Sequence, residues 1–269
     1  MFGAAMRCIV ALNIRSGAGT RAARLCRYLD SLDPDTVLLT EWRDNASGRT
    51  LAHWAEGRGM GHAALTDGGT ANGVFIASLD HFVTESATPV GQGAGCLMLA
   101  RFLCVTLLAC YFPQLKAKAA FFDRCLELAR EHQAAPFVVA GDLNTGNQLT
   151  DRSEGAGKYY CSDHFDQLAS AGGLLDLWRL TNGASREWTW HSTKGNGFRI
   201  DHAFGNGAFV AVAKPICIYD HRARDTRLTD HSAVVLRIGD PCGPIAAVRP
   251  AVPCDRNQRD LQQSRFSAH

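Results

Sequence analysis

Short apolar runs such as RCIVAL, TVLLT, GVFIAS and PFVVA recur along the chain, and helical patterns stand between several of them. Runs of this length, bounded by turn or polar residues, read as strands. Strands alternating with a few helices require sheets covered by helices, an α/β or α+β architecture. Strands are expected at Arg7–Leu12, Asp35–Glu41, His62–Leu65, Gly73–Ser78 and within Cys96–Tyr111, then in FVVAGDLN, EWTWHS, FRIDHAFGN, AVAKPICIYD and SAVVLRI. Helices are expected from a Thr20 cap to about Ser31, near Thr50–Arg58, over Lys116–His132 and in HFDQLASAGG. In the first of these, Leu25, Tyr28, Leu29 and Leu32 recur at helical spacing, and Arg21, Arg24 and Arg27 read as a solvated face.

The ends of the runs carry the chemistry. PFVVAGDLNTG leads an apolar strand into Asp142 and, two positions on, Asn144. In a strand, positions i and i+2 share a face, so the acid and the amide are expected side by side. Other run ends supply Asn13, Glu41, Asp201 and the pair Asp230–His231. Singly, each has a plain alternative: Asn13 or Asp142 can close an Asx-turn, and Glu41 can pair with Arg43. Together, carboxylate and amide oxygens suit a hard divalent cation such as Mg²⁺. A His with an Asp to orient it completes an inventory for metal-assisted phosphoryl chemistry. The chain has no Walker phosphate loop, zinc His-Glu-x-x-His or Gly-x-Ser-x-Gly elbow, which leaves water as the nucleophile.

Bulk properties set limits. The 269 residues are 46% hydrophobic and 20% charged, enough for a large core as one big domain or two small ones. Lys and Arg number 28 against 26 Asp and Glu, so no global positive field points to nucleic acid. The bias toward Arg suits bidentate phosphate contacts and is equally what a biased genome produces. Ten cysteines include no Cys-x-x-Cys pair, and several sit in apolar runs. They read as free thiols in a reducing compartment, hence a cytoplasmic location. MFGAAMRCIVALNIRSG reads as a first strand rather than a signal peptide, with Met6 as an alternative start. CLMLARFLCVTLLACYF is broken by Arg101 and too short to span a bilayer, so two short strands or one kinked strand are expected, and no stable membrane association. Residues 1–239 form the expected catalytic domain. The proline-rich, aperiodic residues 240–269 read as a loosely ordered tail.

The ordered set LNIR, LLTEWRD, GVFIAS, ACYFPQ, VVAGDLN, GLLDLWR, TWHSTKGNGFRIDHAF and LTDHSAVV resembles the endonuclease/exonuclease/phosphatase superfamily over roughly Met6 to Ile238. The resemblance implies a four-layer sandwich of two packed mixed β-sheets, helices on the outer faces and the active site at one edge. It implies that Glu41 is the main Mg²⁺ ligand, with Mn²⁺ a possible substitute, Asn13 beside it and Asp230 completing the site. Asp142 would orient and deprotonate the attacking water or help hold the metal. Asn144 would bond the scissile phosphate or the nucleophile, and Tyr111 would contact the phosphate or aid the leaving group. His231 would stabilise developing charge, its ring held by Asp201. Arg15 is expected either to clamp a substrate phosphate or to lie on the surface. Asp176 and Trp178 are assigned to packing, and His191 and His202 to structure. Lys158, Tyr159 and Tyr160 are a stacking platform or plain loop surface.

The departures concern the substrate. Arg15 stands where apurinic endonucleases often carry an acid or amide, and NIR with E-x-RD looks like pancreatic-type deoxyribonucleases. YFPQ and GLLDLWR look like exonuclease III-type enzymes, and Thr229 replaces the common Ser. The expectation is a monomeric Mg²⁺-dependent nuclease acting on nucleic acid, most plausibly DNA. The alternative is a phosphatase or phosphodiesterase for inositol phosphates or sphingomyelin-type lipids.

Overall fold

A computed structural model describes residues 7–68, 70–91 and 95–239; the expected tail, 240–269, lies outside the described residues. The strands, numbered along the chain, are β1 (Arg7–Asn13), β2 (Thr36–Trp42), β3 (Gly61–Leu65), β4 (Gly73–Ser78), β5 (Val83–Ser86), β6 (Cys96–Arg101) and β7 (Thr106–Tyr111). They continue with β8 (Phe137–Asp142), β9 (Leu174–Asp176), β10 (Trp190–His191), β11 (Gly197–Phe198), β12 (Asp201–Asn206), β13 (Ile216–Asp220) and β14 (Ala233–Ile238). The helices are α1 (Ala22–Asp30), α2 (Ala46–Gly57), α3 (Ala119–Glu131), α4 (Ser162–Ser170), α5 (Leu177–Asn182), α6 (Gly207–Ala213) and α7 (Arg222–Asp225).

Two six-stranded sheets form, ordered β13-β14-β1-β2-β4-β3 and β5-β6-β7-β8-β12-β9. Each is mixed: β1–β2 and β7–β8 are parallel, and the remaining pairs are antiparallel. In both parallel pairs a helix stands between the strands, α1 and α3, because parallel neighbours need a crossover. Period-2 burial then sorts the side chains. On β1, Ile9 and Ala11 enter the core between the sheets, whereas Cys8, Val10 and Leu12 pack outward with α1 and α2. On β8, Val138 and Ala140 face inward, and Phe137 and Val139 face α3 and α4. Three apolar layers between four structural layers are the expected sandwich.

Local departures have local causes. Thr20 does not cap α1; it lies in a 3₁₀ turn, Gly19–Arg21, with no side-chain cap bond. The helix near Thr50 starts earlier, at Ala46, because the Asn45 side chain accepts from Gly48 N. AVAKPICIYD is only half strand: Ala211–Ala213 end α6, which the Asn206 side chain caps at Phe209 N. EWTWHS contributes only Trp190–His191. Cys96–Tyr111 does split into two strands. Cys8, Cys26, Cys96, Cys110, Cys125, Cys161 and Cys217 are free thiols; Cys104 is disulfide-bonded, against the all-thiol expectation. Among the described residues no helix is long and apolar enough to cross a membrane.

Candidate active site

The inward parity of β8 that buries Val138 and Ala140 carries on to Asp142 at the strand's end. Register places Asp142 opposite Tyr111 on β7 and opposite Asp201 on β12, so three functional groups share one row across the second sheet. On the first sheet, the parity of Ile9 and Ala11 carries on to Asn13. The rows meet between the sheets, where Asn13 Nδ2 donates to Asp142 Oδ2 at 2.8 Å and to Glu41 Oε1 at 3.0 Å.

Gly141 makes this row possible. Its φ is +136°, and an added Cβ would stand 2.1 Å from the Cys110 carbonyl oxygen. Glu41 is placed by a different device. The β2–β4 register shifts between Thr40 and Trp42, and Glu41 has φ +56°. This is a β-bulge, which re-aims a side chain at a sheet's rim. The freed carboxylate accepts from Ser16 N at 2.7 Å through Oε2. A non-glycine residue in this region costs of order 1–3 kcal/mol and persists where the surroundings fix it.

Asn144 departs from the same-face expectation. The strand stops at Asp142, and Asn144 has φ +51°. A turn, not the pleat, brings it alongside: its N–H donates to Asp142 Oδ1 at 2.9 Å and its Nδ2 lies 3.3 Å from Asp142 Oδ2. Its amide is otherwise engaged, Nδ2 with Phe112 O at 2.8 Å and Oδ1 with Gln114 Nε2.

Asp201 and His231 form a buried pair, His231 Nδ1 lying 2.9 Å from Asp201 Oδ2. Thr189 Oγ1 accepts from the backbone N–H of Ile200 and Asp201, and Tyr219 OH donates to Asp201 O, fixing this stretch. Burial opposes the imidazolium charge, but Asp201, then Asp142 and Asp230, outweigh it and raise His231 to about 10. The ring is therefore charged near neutral pH, with Nδ1 committed to Asp201 and Nε2–H left to donate. Burial and then the like charge of Asp201 push Asp142 up to about 7, against His231 and the Asn13 and Asn144 donors.

Asp230 Oδ2 accepts from Trp190 Nε1 at 3.3 Å and lies 3.9 Å from Arg15 Nε. Arg15 is largely exposed, and its N–H donates to Asn13 Oδ1. Thr229 Oγ1 donates to Asn13 O at 2.7 Å, joining the segment before His231 to β1. Burial and then Glu41 raise the Tyr111 phenol to about 12, so it stays protonated; it accepts from Asn72 Nδ2, which Arg43 orients.

Glu41, Asp142, Asn144, Asp230 and His231 line one cleft of about 400 Å³. Lys118, Gln114 and Trp190 line it too and were not singled out in the sequence. Lys118 is buried, donates from Nζ to Asn144 O, and is lowered by burial to about 8 although Asp142 pulls the other way. No short motif marks it. Lys116 to His132 reads as one helix, but Leu115–Lys118 form a separate 3₁₀ turn that swings Lys118 inward.

The oxygen donors fit a divalent cation. Asp142, Asp201 and His231 offer ligand atoms within 4.8 Å of one another, and Glu41 and Asn13 bond into the same group. Other residues stand apart. His202 is buried with Nε2 2.8 Å from Thr145 O, and His191 is exposed on β10. Asp176 and Asp151 hold Arg199 in a buried ion cluster against Trp178. Tyr159 does line the cleft, but its OH donates to Asp151 O.

Solved structures share the fold. The 3′-5′ exonuclease NExo from Neisseria meningitidis is 21% identical, with a TM-score of 0.75 over 87% of this chain and 100% of that one. The 3′ phosphatase NExo from Neisseria bound to a product DNA hairpin is 22% identical, with a TM-score of 0.75 over 88% and 100%. An AP endonuclease from Archaeoglobus fulgidus is 18% identical, with a TM-score of 0.73 over 86% and 98%. No curated protein matches the chain by sequence. The family model described as Endonuclease/Exonuclease/phosphatase family matches residues 10–231, the span from β1 to His231, and the chain belongs to that family.

Proposed function

We propose that the chain is a divalent-cation-dependent phosphodiester hydrolase acting on DNA through water activated at Asp142. Family membership makes it a hydrolase of phosphoric esters. The observation that carries the finer reading is that Glu41, Asp142 and His231 line one cleft, with Asn13 bonded to Glu41 and Asp142 and with Asp201 holding His231.

Glu41 and Asn13 would hold Mg²⁺, or Mn²⁺ in its place, with Asp230 near enough to the same cleft to take part. Such an ion, when bound, supplies Lewis-acid polarisation of a phosphoryl oxygen. The remaining steps belong to side chains. Asp142, buried and poised near neutrality, orients a water and takes its proton as the water oxygen attacks phosphorus. The bond from phosphorus to the leaving oxygen breaks in line, and the Tyr111 phenol or solvent protonates that oxygen. His231, cationic and fixed by Asp201, donates from Nε2 to a non-bridging oxygen, where charge develops. Asn144, its amide already engaged, positions the Asp142 carboxylate. Arg15 stands exposed beside Asp230 to meet a substrate phosphate.

DNA as the substrate is supported by the neighbours, an exonuclease, an AP endonuclease and a 3′ phosphatase bound to a DNA hairpin. The test is a substrate panel with and without EDTA: nicked, abasic and 3′-phosphorylated duplexes, inositol phosphates and sphingomyelin vesicles. The expected result is DNA hydrolysis that EDTA abolishes and Mg²⁺ or Mn²⁺ restores. Turnover of inositol phosphate or sphingomyelin alone would overturn the choice of DNA.

A further inference from the structure

The cleft has a side that phosphate chemistry does not use. Leu115 is 59% exposed and Tyr160 is 47% exposed, and both line the cleft that holds Glu41, Asp142 and His231. Leu115 has φ +59°, a left-handed conformation that side-chain-bearing residues rarely adopt.

The turn that presents Leu115 is pinned at both ends to one residue. The Gln114 side chain donates to Asn144 Oδ1, and Lys118 Nζ donates to Asn144 O. Tyr160 arrives from the opposite loop, its carbonyl accepting from Thr145 Oγ1 at 2.8 Å. The two loops touch where Cys161 Sγ lies 3.9 Å from Lys116 O. The neighbouring tyrosine is committed elsewhere: Tyr159 OH bonds Asp151 O, and its ring packs edge-on against Phe198. Among the described residues the Tyr160 ring and hydroxyl make no hydrogen bond or ring contact. An exposed leucine and an exposed aromatic thus line one cleft, on loops tied to Asn144 and to its neighbour Thr145.

We propose that Leu115 and Tyr160 form an apolar clamp that takes the face of an unpaired nucleobase adjoining the scissile phosphate. This rests on the reading of the cleft as a DNA-hydrolysing site. Every base has a π-face, so stacking binds without reading sequence. A base can be flanked by both side chains only when it is out of the duplex stack. Lys158, which lines the same cleft, would meet the adjoining backbone. The clamp therefore selects for a frayed, mismatched or single-stranded nucleotide rather than for a particular base.

The test uses the full chain carrying Asp142→Asn and a single-stranded oligonucleotide with 2-aminopurine beside the scissile phosphate. Stacking quenches that fluorophore, so the clamp is read without turnover. Tyr160→Ala should weaken binding about 5- to 100-fold and relieve the quenching, Leu115→Ala should weaken binding less and relieve it in part, and Tyr160→Phe keeps both. An oligonucleotide lacking that one base should bind all variants alike. With Asp142 intact, the alanine variants should raise KM and leave kcat unchanged. Binding and quenching unchanged in both alanine variants would overturn the clamp. So would equal weakening for the base-bearing and base-lacking oligonucleotides. Failure of the DNA reading itself shows separately, as absence of metal-dependent cleavage by the parent chain.

Discussion

Replacing Gly141 with alanine tests how the second sheet delivers Asp142. The new Cβ would stand 2.1 Å from the Cys110 carbonyl oxygen and 3.1 Å from Cys110 N, on a backbone at φ +136°. Both obstacles are backbone, so no side-chain rotation relieves them. The strained φ costs about 1–3 kcal/mol, and forcing β7 and β8 apart adds about 1–3 kcal/mol. Together that is about 2–6 kcal/mol, which for a chain of this size lowers Tm by about 5–20 °C. Separation would occur where Tyr111 pairs with Asp142, so the carboxylate moves with it. A displacement near 1 Å can cost about 10²-fold in rate. Gly59→Ala is the control: its φ is +75° with nothing within 4 Å of the added atom, so it bears only the conformational cost of about 1–2 kcal/mol. Calorimetric melting and hydrolysis are measured on both variants. A Gly141→Ala protein that melts like Gly59→Ala and hydrolyses at the parent rate would refute the reasoning.

Three further outcomes are expected. Burial, then the charge of Arg199, lowers His202 to about 4, so the folded state takes up fewer protons than the unfolded chain as pH falls below the usual histidine value. His202's share of the stability is full above pH 6.5 and lost toward pH 4, so in urea unfolding the parent should lose about 2 kcal/mol relative to His202→Gln between pH 7.5 and 5.0. Arg199→Met strips the charge that holds Asp151 down at about 2 against its burial. It should cost about 3–5 kcal/mol, with part of the urea midpoint recovered on adding Asp151→Asn. Asp201→Asn removes the carboxylate that lifts His231 to about 10. Activity that holds up as pH rises should then fall away at lower pH in a pH–rate profile, with turnover down about 10²–10³-fold.

Much of this site was legible because strand parity continues to the strand's last residue. Val138 and Ala140 announce where Asp142 points, and Ile9 and Ala11 do the same for Asn13. What parity cannot carry lies where the backbone leaves the strand. Glu41 reaches the site through a bulge, and Asn144 through a turn, both at positive φ that these residue types do not advertise. Ala211–Ala213 look like strand by composition, yet a cap at Asn206 makes them helix. Lys118 and Gln114 matter through tertiary bonds to Asn144, thirty residues or so along the chain, a distance over which no local pattern speaks. The His231–Asp201 pairing came from resemblance rather than from spacing.

The central claim is that Asp142 activates water in a divalent-cation-dependent hydrolysis of DNA. Single-turnover cleavage of a nicked duplex by parent chain and Asp142→Asn, each with saturating Mg²⁺ and with EDTA, tests it most directly. The account predicts cleavage only for the parent with Mg²⁺, and a loss of about 10²–10³-fold or more on removing the carboxylate. Equal rates for the two proteins, or cleavage by the parent undiminished by EDTA, would contradict it.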